Sequence, residues 1–163
     1  MVTQERLKEV LNYNPKTGVF TWKRGRGSVK RGSIAGSFDK RAGYIRIMID
    51  EKKYPAQRLA LLFEHGYMPE NQIDHIDGIR DNNKIKNLRE ATHSQNQQNR
   101  TRVQEGKKVD CPLGVCWCKT VNKFRAQIKV REKVKYLGCF KTKEEASKAY
   151  IKEKRELHEY CTI

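Results

Sequence analysis

The chain has 163 residues, of which 37% are hydrophobic and 33% are charged. This composition predicts one ordinary domain or two small ones with a modest core, and it excludes a wholly disordered chain. Lys and Arg number 35 against 19 Asp and Glu, a formal net charge of +16. So large a basic excess attracts polyanions, and nucleic acid is therefore the leading candidate partner. The alternative is a basic surface that serves solubility alone.

The longest apolar run is LALLF at residues 59–63, which is far too short to cross a bilayer. No signal-peptide pattern opens the chain, so we expect an intracellular protein that does not associate with membranes. The five cysteines all lie in the last third, and no two have C-x-x-C spacing. In an intracellular chain this arrangement favours free thiols over disulfides or a zinc site.

Helices and strands alternate in the first 70 residues, which predicts an α+β fold. Thr3 is the expected N-cap of a helix over residues 4–12. Strands are expected at 18–23 and at 43–50, where the sequence GYIRIMID alternates between two faces. A second helix follows over residues 56–66 and ends at a glycine, Gly66.

The stretch from residue 72 to residue 99 is rich in carboxylate, imidazole and amide groups. It predicts a strand at 72–76, a long loop of turn-forming residues, a second strand at 88–92 and a helix from 93. In such a hairpin the end of the first strand faces the first turn of the helix. Several polar side chains are therefore expected to converge, namely Asp74, His75, His93, Asn96 and Asn99.

Asp74 and a nearby amide oxygen are hard ligands that suit magnesium or manganese. His75 can act as a general base if a neighbouring amide or carbonyl holds it in one tautomer, and Asn87 could supply that contact. Metal and base beside a basic surface suggest metal-assisted hydrolysis of a phosphodiester. Each residue also has an ordinary structural alternative: a hydrogen-bonded strand histidine, an Asp-Gly turn, or loop asparagines that satisfy their own backbone.

The sequence IDHIDGIRDNNKIKNLREATHSQNQQNR resembles the core of HNH homing endonucleases, the ββα-metal (His-Me finger) nucleases of phages and introns. The Asp-His pair, the Asp-Gly turn, NLREAT and QNQQN match in order and spacing. Upstream, NPKTGVFTW, AGYIRI and RLALLF are also similar, so the resemblance extends over about residues 4 to 100.

This resemblance implies specific roles. Asp74 and Asn96 would bind one divalent ion per active site, magnesium or manganese. His75 would be the general base and Asn87 would orient it. The target would be double-stranded DNA, with cutting of one strand or both. One departure is Gln57, which stands where many members of the family carry histidine.

The last third of the chain predicts three strands followed by one helix. Thr142 and Glu145 form a capping-box pattern at the start of that helix. Alternation in the middle strand, KFRAQIKV, separates an apolar face from a polar face that can reach phosphates and base edges. The candidate DNA-binding residues of this region are Lys119, Lys123, Arg125, Gln127, Lys129 and Arg131.

The motifs KFRAQI, YLGCF and T-x-E-E-A-x-x-A-Y resemble the Apetala-type (ethylene-response-factor) DNA-binding domain. The resemblance covers residues 113 to about 158 and implies a three-stranded antiparallel sheet packed on one helix, with the sheet in the major groove. Cys116 and Cys118 depart from the family, whose plant members carry arginines near these positions.

We therefore predict a nuclease domain over residues 1–100 (ββα-metal core at 72–100), a linker at 101–111 and a DNA-binding domain at 112–163. The expected protein is a monomeric, homing-type DNA endonuclease, encoded by a phage and acting in the cytoplasm of a bacterial host. One alternative is a sequence-specific DNA-binding regulator whose nuclease site is weak or silent. Others are a nucleic-acid chaperone that acts by charge, and an RNA substrate.

Overall fold

The computed structural model describes residues 1–25, 27–99, 111–130, 133–158 and 161. Within these residues the chain is α+β, with four α-helices and small antiparallel sheets, which is compatible with an HNH domain. The chain divides into two compact units, Met1–Thr92 and His93–Ile163. Most of the predicted linker lies outside the described residues, and the predicted domain limits stay a prediction. None of the described helices is long and apolar enough to pass through a membrane.

The first unit contains two α-helices, seven strands and a short 3-10 helix at Ile85–Asn87. In chain order its helices and strands are α1 (Gln4–Val10), β1 (Leu11–Asn14), β2 (Val19–Trp22), β3 (Ser37–Asp39), β4 (Tyr44–Ile49), β5 (Lys52–Pro55), α2 (Ala56–His65), β6 (Gln72–His75) and β7 (Leu88–Ala91). Strands β1–β2 and β6–β7 are antiparallel hairpins, and β3–β4–β5 form a three-stranded sheet.

One hydrophobic core joins these elements. Leu7 of α1, Ile47 of β4 and Leu59 of α2 are fully buried in it. Ile73 of β6 and Leu88 of β7 belong to the same core. The hairpin that carries the Asp-His pair is therefore anchored by apolar side chains from both of its strands, since burying them removes apolar surface from water.

The helix at the N-terminus is shorter than predicted. It ends at Val10 rather than at residue 12, and strand β1 begins at Leu11. Leu11 pairs with Trp22 of β2, so a non-local strand contact overrides the local helical pattern. The short strand β3 was not predicted either. In contrast, the helix predicted at residues 56–66 is confirmed as α2, and Gly66 caps it with a left-handed φ of 81°.

The second unit contains α3 (His93–Gln98), β8 (Val115–Cys118), β9 (Lys123–Val130), β10 (Lys133–Phe140) and α4 (Lys143–Leu157). Its sheet has the order β10-β9-β8, all antiparallel. Ala126 and Ile128 of β9 and Ala146 of α4 are buried where the helix covers the sheet. Leu157, in the last turn of α4, is 38% exposed, while Lys154 is buried one turn earlier.

Thr142 caps α4 as the sequence predicts. Its side chain accepts a hydrogen bond from the backbone N–H of Glu145, and the Glu145 side chain accepts one from the backbone N–H of Thr142. We expect Thr142→Ala to lower the free energy of unfolding by about 1 kcal/mol, because the backbone N–H of Glu145 loses its partner. Thermal and urea melts followed by circular dichroism would measure the change.

Thr142→Ser should restore most of that stability. Thr120→Ala, at an exposed turn position between β8 and β9, is the matched control and should change little. Equal melting curves for Thr142→Ala and the wild type would contradict the role of the cap.

Candidate active site

The candidate site is built on the β6–β7 hairpin and on the loop that joins its strands. Asp74 and His75 are the last two residues of β6, and each is only 4% exposed. Asp74 pairs with Arg89 and His75 pairs with Leu88 across the hairpin. The predicted base and the predicted metal ligand are thus held on a paired strand in the core of the first unit.

Asn83 contacts the His75 ring. Its Oδ1 lies 3.2 Å from His75 Nε2, and its Nδ2 donates to the backbone carbonyl of Asp81 at 3.3 Å. The second bond identifies which end of the amide faces the ring. An amide oxygen only accepts, so this contact fits the tautomer with the proton on Nε2 and the lone pair on Nδ1.

Asn87, predicted to orient His75, bonds to the loop instead. Its side chain accepts from the Asp77 backbone N–H at 3.0 Å and donates to Asp77 Oδ1 at 2.9 Å and to the Asn82 carbonyl at 2.8 Å. Its backbone carbonyl accepts from the N–H of Ile76 at 2.9 Å. Within the described residues, the direct amide contact to the ring comes from Asn83, so an orienting effect of Asn87 would act through the loop. The catalytic role of Asn87 stays a prediction.

Asp77 is the centre of the loop. Burial acts to raise its pKa, but hydrogen bonds from the Ile79 N–H and from the side chains of Asn82 and Asn87 outweigh burial. The pKa of Asp77 is therefore below its ordinary value. The Asp77 carboxylate stays charged at neutral pH and organises the residues that follow His75.

The pKa of His75 is lowered from its ordinary value of 6.5, and burial is the main cause. The hydrogen bond to Asn83 and the carboxylates of Asp77, Asp74 and Asp81 oppose the shift without cancelling it. The ring is therefore neutral at neutral pH. A buried, neutral histidine with one fixed N–H can accept a proton, as a general base must.

Arg89 was not singled out from the sequence, yet it is the cross-strand partner of Asp74. Its Nε and Nη2 atoms lie 2.9 and 2.8 Å from Asp74 Oδ2. The Asp74 side chain is 5% exposed and that of Arg89 is 25% exposed. The guanidinium thus compensates a buried carboxylate and still reaches the surface, where it can meet a phosphate.

Tyr44 and Arg80 add an aromatic ring and a cation near His75, and neither was predicted. The Tyr44 and His75 ring centroids are 5.9 Å apart, and the Arg80 guanidinium carbon lies 5.2 Å from the Tyr44 ring centroid. Arg80 also donates to the carbonyl of Ala42 at 3.0 Å. These contacts fix the loop against strand β4.

In the part of the chain that the structure describes, no group of three His, Cys, Asp or Glu side chains could hold a metal ion. Asp74 is a carboxylate of the first unit, and Asn96 is a half-buried amide in α3 of the second unit. Both are hard oxygen donors, and magnesium is commonly held by one or two carboxylates together with substrate phosphate and water. The chemistry of this donor set fits a divalent ion, and the pairing of Asp74 with Asn96 stays a prediction.

Gln57 lies in α2 and is 7% exposed, and its Oε1 has no hydrogen-bond partner among the described residues. A buried amide oxygen without a partner costs free energy, so this side chain is accommodated imperfectly.

The sheet of the second unit has a solvent-facing side that carries most of the predicted DNA-binding residues. Lys123, Arg125 and Lys129 are exposed on β9, Gln127 is half-buried there, and Lys119 is exposed in the turn after β8. Arg131 lies outside the described residues.

Thiols surround Arg125 on this outer face. Cys116 and Cys139 are its cross-strand neighbours, and contact with the Cys116 thiol raises the pKa of the guanidinium. Tyr136, which pairs with Gln127, is 60% exposed on the same face and was missed by sequence reasoning. Trp117 packs its ring edge against Phe124 with centroids 4.8 Å apart, although it remains 42% exposed.

We expect NMR titration to place the midpoint of His75 below pH 6.5, because burial disfavours its charged form. As the pH falls, the unfolded chain therefore binds a proton at His75 before the folded chain does. The free energy of unfolding decreases as the pH falls from the unfolded-state pKa through the folded-state pKa. His75→Ala assigns the signal among the 4 histidines of the chain. A midpoint at or above the value of the same residue in denaturant would show that burial does not dominate the pKa of His75.

The sequence was compared with protein-family models, with curated proteins and with solved structures. Residues 54–98, which include α2, β6, β7 and α3, match the family model described as HNH endonuclease. Neither the curated proteins nor the solved structures provided a match. HNH nucleases generally use a divalent metal, and a nuclease domain implies a DNA substrate. The similarity of residues 54–98 to HNH endonucleases supports a nuclease, a phosphodiester hydrolase.

Proposed function

We propose that this protein is a metal-dependent, homing-type endonuclease that hydrolyses phosphodiester bonds in double-stranded DNA, with His75 as its general base. The observation that carries the proposal is the buried, neutral His75 whose Nε2 faces the Asn83 oxygen at 3.2 Å. Its position within residues 54–98, which match the HNH endonuclease model, supports the same role.

In this proposal His75 Nδ1 takes a proton from the attacking water, because the proton of the neutral ring stays on Nε2. The water oxygen then forms the new bond to phosphorus while the bond to the leaving sugar oxygen breaks. Arg89 bonds to Asp74, and Arg80 lies against the Tyr44 ring beside His75. Both would offset the charge that develops on the phosphate.

Asp74 and Asn96 would hold one divalent ion, magnesium or manganese. When bound, the ion supplies Lewis-acid stabilisation of the phosphate and of the leaving oxygen. In the structure Arg89 bonds to Oδ2 of Asp74 and so orients this carboxylate. Asn87 would contribute by holding the loop that follows His75.

The outer face of β8–β10 would bind the DNA and confer site preference. Its lysines and Arg125 are exposed, while the opposite face packs on α4. Lysines fit phosphate contacts, while Arg125 and Gln127 can reach base edges. Linking this face to the nuclease raises the local DNA concentration at the site, so neither part needs to bind tightly alone. We further propose a monomer, encoded by a phage and acting in the bacterial cytoplasm.

A second candidate function is a DNA-binding regulator with a weak or silent nuclease site. The buried Gln57, whose Oε1 has no partner among the described residues, favours this alternative. If the family histidine at this position assists phosphate or metal binding, its loss would lower turnover and leave DNA affinity intact.

The first prediction for this function is that magnesium converts supercoiled plasmid to open circles or linear DNA, whereas a chelator prevents the conversion. His75→Ala should reduce cutting by about 10²-fold or more, the contribution expected of a positioned base. Asn71→Ala, an exposed polar residue outside the site, is the control and should retain full activity.

Open circles without linear product would identify a nicking enzyme. Intact supercoils together with clear retardation in a gel would refute the enzyme and support the regulator. Binding of every polyanion with equal affinity would support the charge-driven chaperone.

A separate prediction concerns the sheet. Arg125→Ala or Lys129→Ala should weaken DNA binding and reduce the slope of log Kd against log salt by about one for each phosphate that the protein no longer neutralises. Lys148→Ala, at an exposed position of α4, removes the same charge without touching the sheet. If all three variants lose affinity equally, the binding is governed by net charge and the outer face is not the DNA-binding surface.

A further inference from the structure

Asn83 contacts more of the protein than a solvated loop residue would. It is 1% exposed, and its amide spans from the His75 ring to the carbonyl of Asp81. No motif of the sequence marks it, because Asn82, Asn83 and Asn87 all belong to one asparagine-rich loop. The structure separates them: Asn82 and Asn87 bind Asp77, and Asn83 binds the ring.

The β1–β2 hairpin holds Asn83 from the other side. The Tyr13 hydroxyl donates to the backbone carbonyl of Asn83 at 2.7 Å, 70 residues away in sequence. Tyr13 is 8% exposed, and burial raises the pKa of its phenol above the ordinary value, so it remains a donor. Its ring packs against that of Phe20 with the centroids 4.6 Å apart, and this contact helps to place the hydroxyl.

Gly18 completes the support. It has a left-handed φ of 76°, and a Cβ there would lie 2.4 Å from the backbone carbon of Asn83 and 2.5 Å from the nitrogen of Lys84. The turn therefore packs directly on the Asn83–Lys84 peptide, closer than any side chain allows. Next along the chain, the N–H of Ile85 donates to the carbonyl of Pro15 at 3.1 Å.

We propose that Asn83 is a positioning residue for His75, and that the β1–β2 hairpin holds Asn83 in place through Tyr13 and Gly18. This inference rests on the proposed function in taking His75 as the base. The Asn83 oxygen keeps the ring proton on Nε2, so that Nδ1 is the nitrogen that acts as the base. The hairpin prevents the loop from moving Asn83 away from the ring.

The hydrogen bond to Asn83 also affects the titration of His75. The Asn83 oxygen stabilises the charged ring and opposes burial. Other groups face the same ring or its immediate partners, namely the carboxylates of Asp74, Asp77 and Asp81, the Tyr44 ring, and the guanidinium groups of Arg89 and Arg80. A test must therefore change Asn83 and leave those groups unchanged.

Two substitutions at Asn83 should move the titration of His75 in opposite directions. Asn83→Asp puts a carboxylate against Nε2 and should raise the His75 midpoint by roughly one pH unit. Asn83→Ala removes the acceptor and should lower that midpoint. The acid limb of kcat/KM should follow the midpoint measured by NMR, and Asn83→Ala should lower kcat by about tenfold or more. Asn71→Ala is the control and should change neither quantity.

Midpoints equal to that of the wild type in both variants, or shifts in the same direction, would overturn the proposal. So would a neutral His75 in the wild type with its proton on Nδ1, as read from the ring nitrogen shifts. A role in stability alone would lower the melting temperature without this opposite pair of shifts.

The hairpin is tested with paired variants. Gly18→Ala and Gly66→Ala each place a side chain at a left-handed φ, 76° and 81° respectively. The new Cβ at Gly18 would lie 2.4 Å from the backbone carbon of Asn83, whereas the nearest atom to the new Cβ at Gly66 is 3.5 Å away. Both should lower the melting temperature, and only Gly18→Ala should also change the His75 ring signals and kcat. If Gly18→Ala fails to fold, Tyr13→Phe tests the same contact, because it removes only the hydroxyl that donates to the Asn83 carbonyl. Tyr67→Phe is its control, since it loses a hydrogen bond to Glu90 at the surface.

The NMR measurement separates this inference from the proposed function. If the wild type never cuts DNA but the titration midpoint of His75 shifts in the Asn83 variants, the nuclease function is refuted and the contact between Asn83 and His75 is supported. A wild type whose cutting is abolished by His75→Ala but is unaffected by the Asn83, Gly18 and Tyr13 variants would refute the positioning role alone.

Discussion

The hydrogen bond between His75 Nε2 and Asn83 Oδ1 is the constraint on which the rest of the candidate site depends. It selects the nitrogen that holds the proton and so the nitrogen that can accept one. Burial keeps the ring neutral, but burial alone leaves both tautomers open. A hydrogen-bond partner at a fixed position distinguishes them, and the position of this partner is set by a loop with few apolar side chains of its own.

Two sets of contacts hold this loop. Inside it, Asn87 and Asn82 converge on Asp77. From outside, the β1–β2 hairpin contributes the Tyr13 hydroxyl, the bare backbone of Gly18 and the carbonyl of Pro15. A polar loop cannot recover the conformational entropy lost on ordering by burying apolar surface, so backbone contacts to a rigid neighbour take that role. The first hairpin is thus a functional support of the site as well as part of the core.

The second unit carries exposed positive charge on its sheet, whereas in the first unit Arg89 is paired with the buried carboxylate of Asp74. Its outer sheet face has cations that remain exposed, where salt and phosphate can reach them. Around Arg125 this face carries the thiols of Cys116 and Cys139 and the exposed Tyr136. Thiols and a phenol cannot make the bidentate contact to guanine that a guanidinium makes, so in the proposed function affinity for the DNA backbone would contribute more to binding than base readout.

The sequence by itself determined the features that depend on local physics. These include helix α2 and its stop at Gly66, the capping box at Thr142, the alternation along β9, and the order of the strand-loop-strand-helix stretch that carries Asp74 and His75. Periodicity, capping and turn chemistry involve neighbours within a few residues, so they can be read directly from the letters.

Only the tertiary structure decided which residues meet across long separations. It ended α1 at Val10 by pairing Leu11 with Trp22, and it paired Arg89 with Asp74. It also brought Asn83, and not Asn87, to the His75 ring, with a tyrosine 70 residues upstream behind it. Three asparagines in one loop have the same local chemistry, so their roles diverge only when the packing of a distant hairpin gives each a different partner.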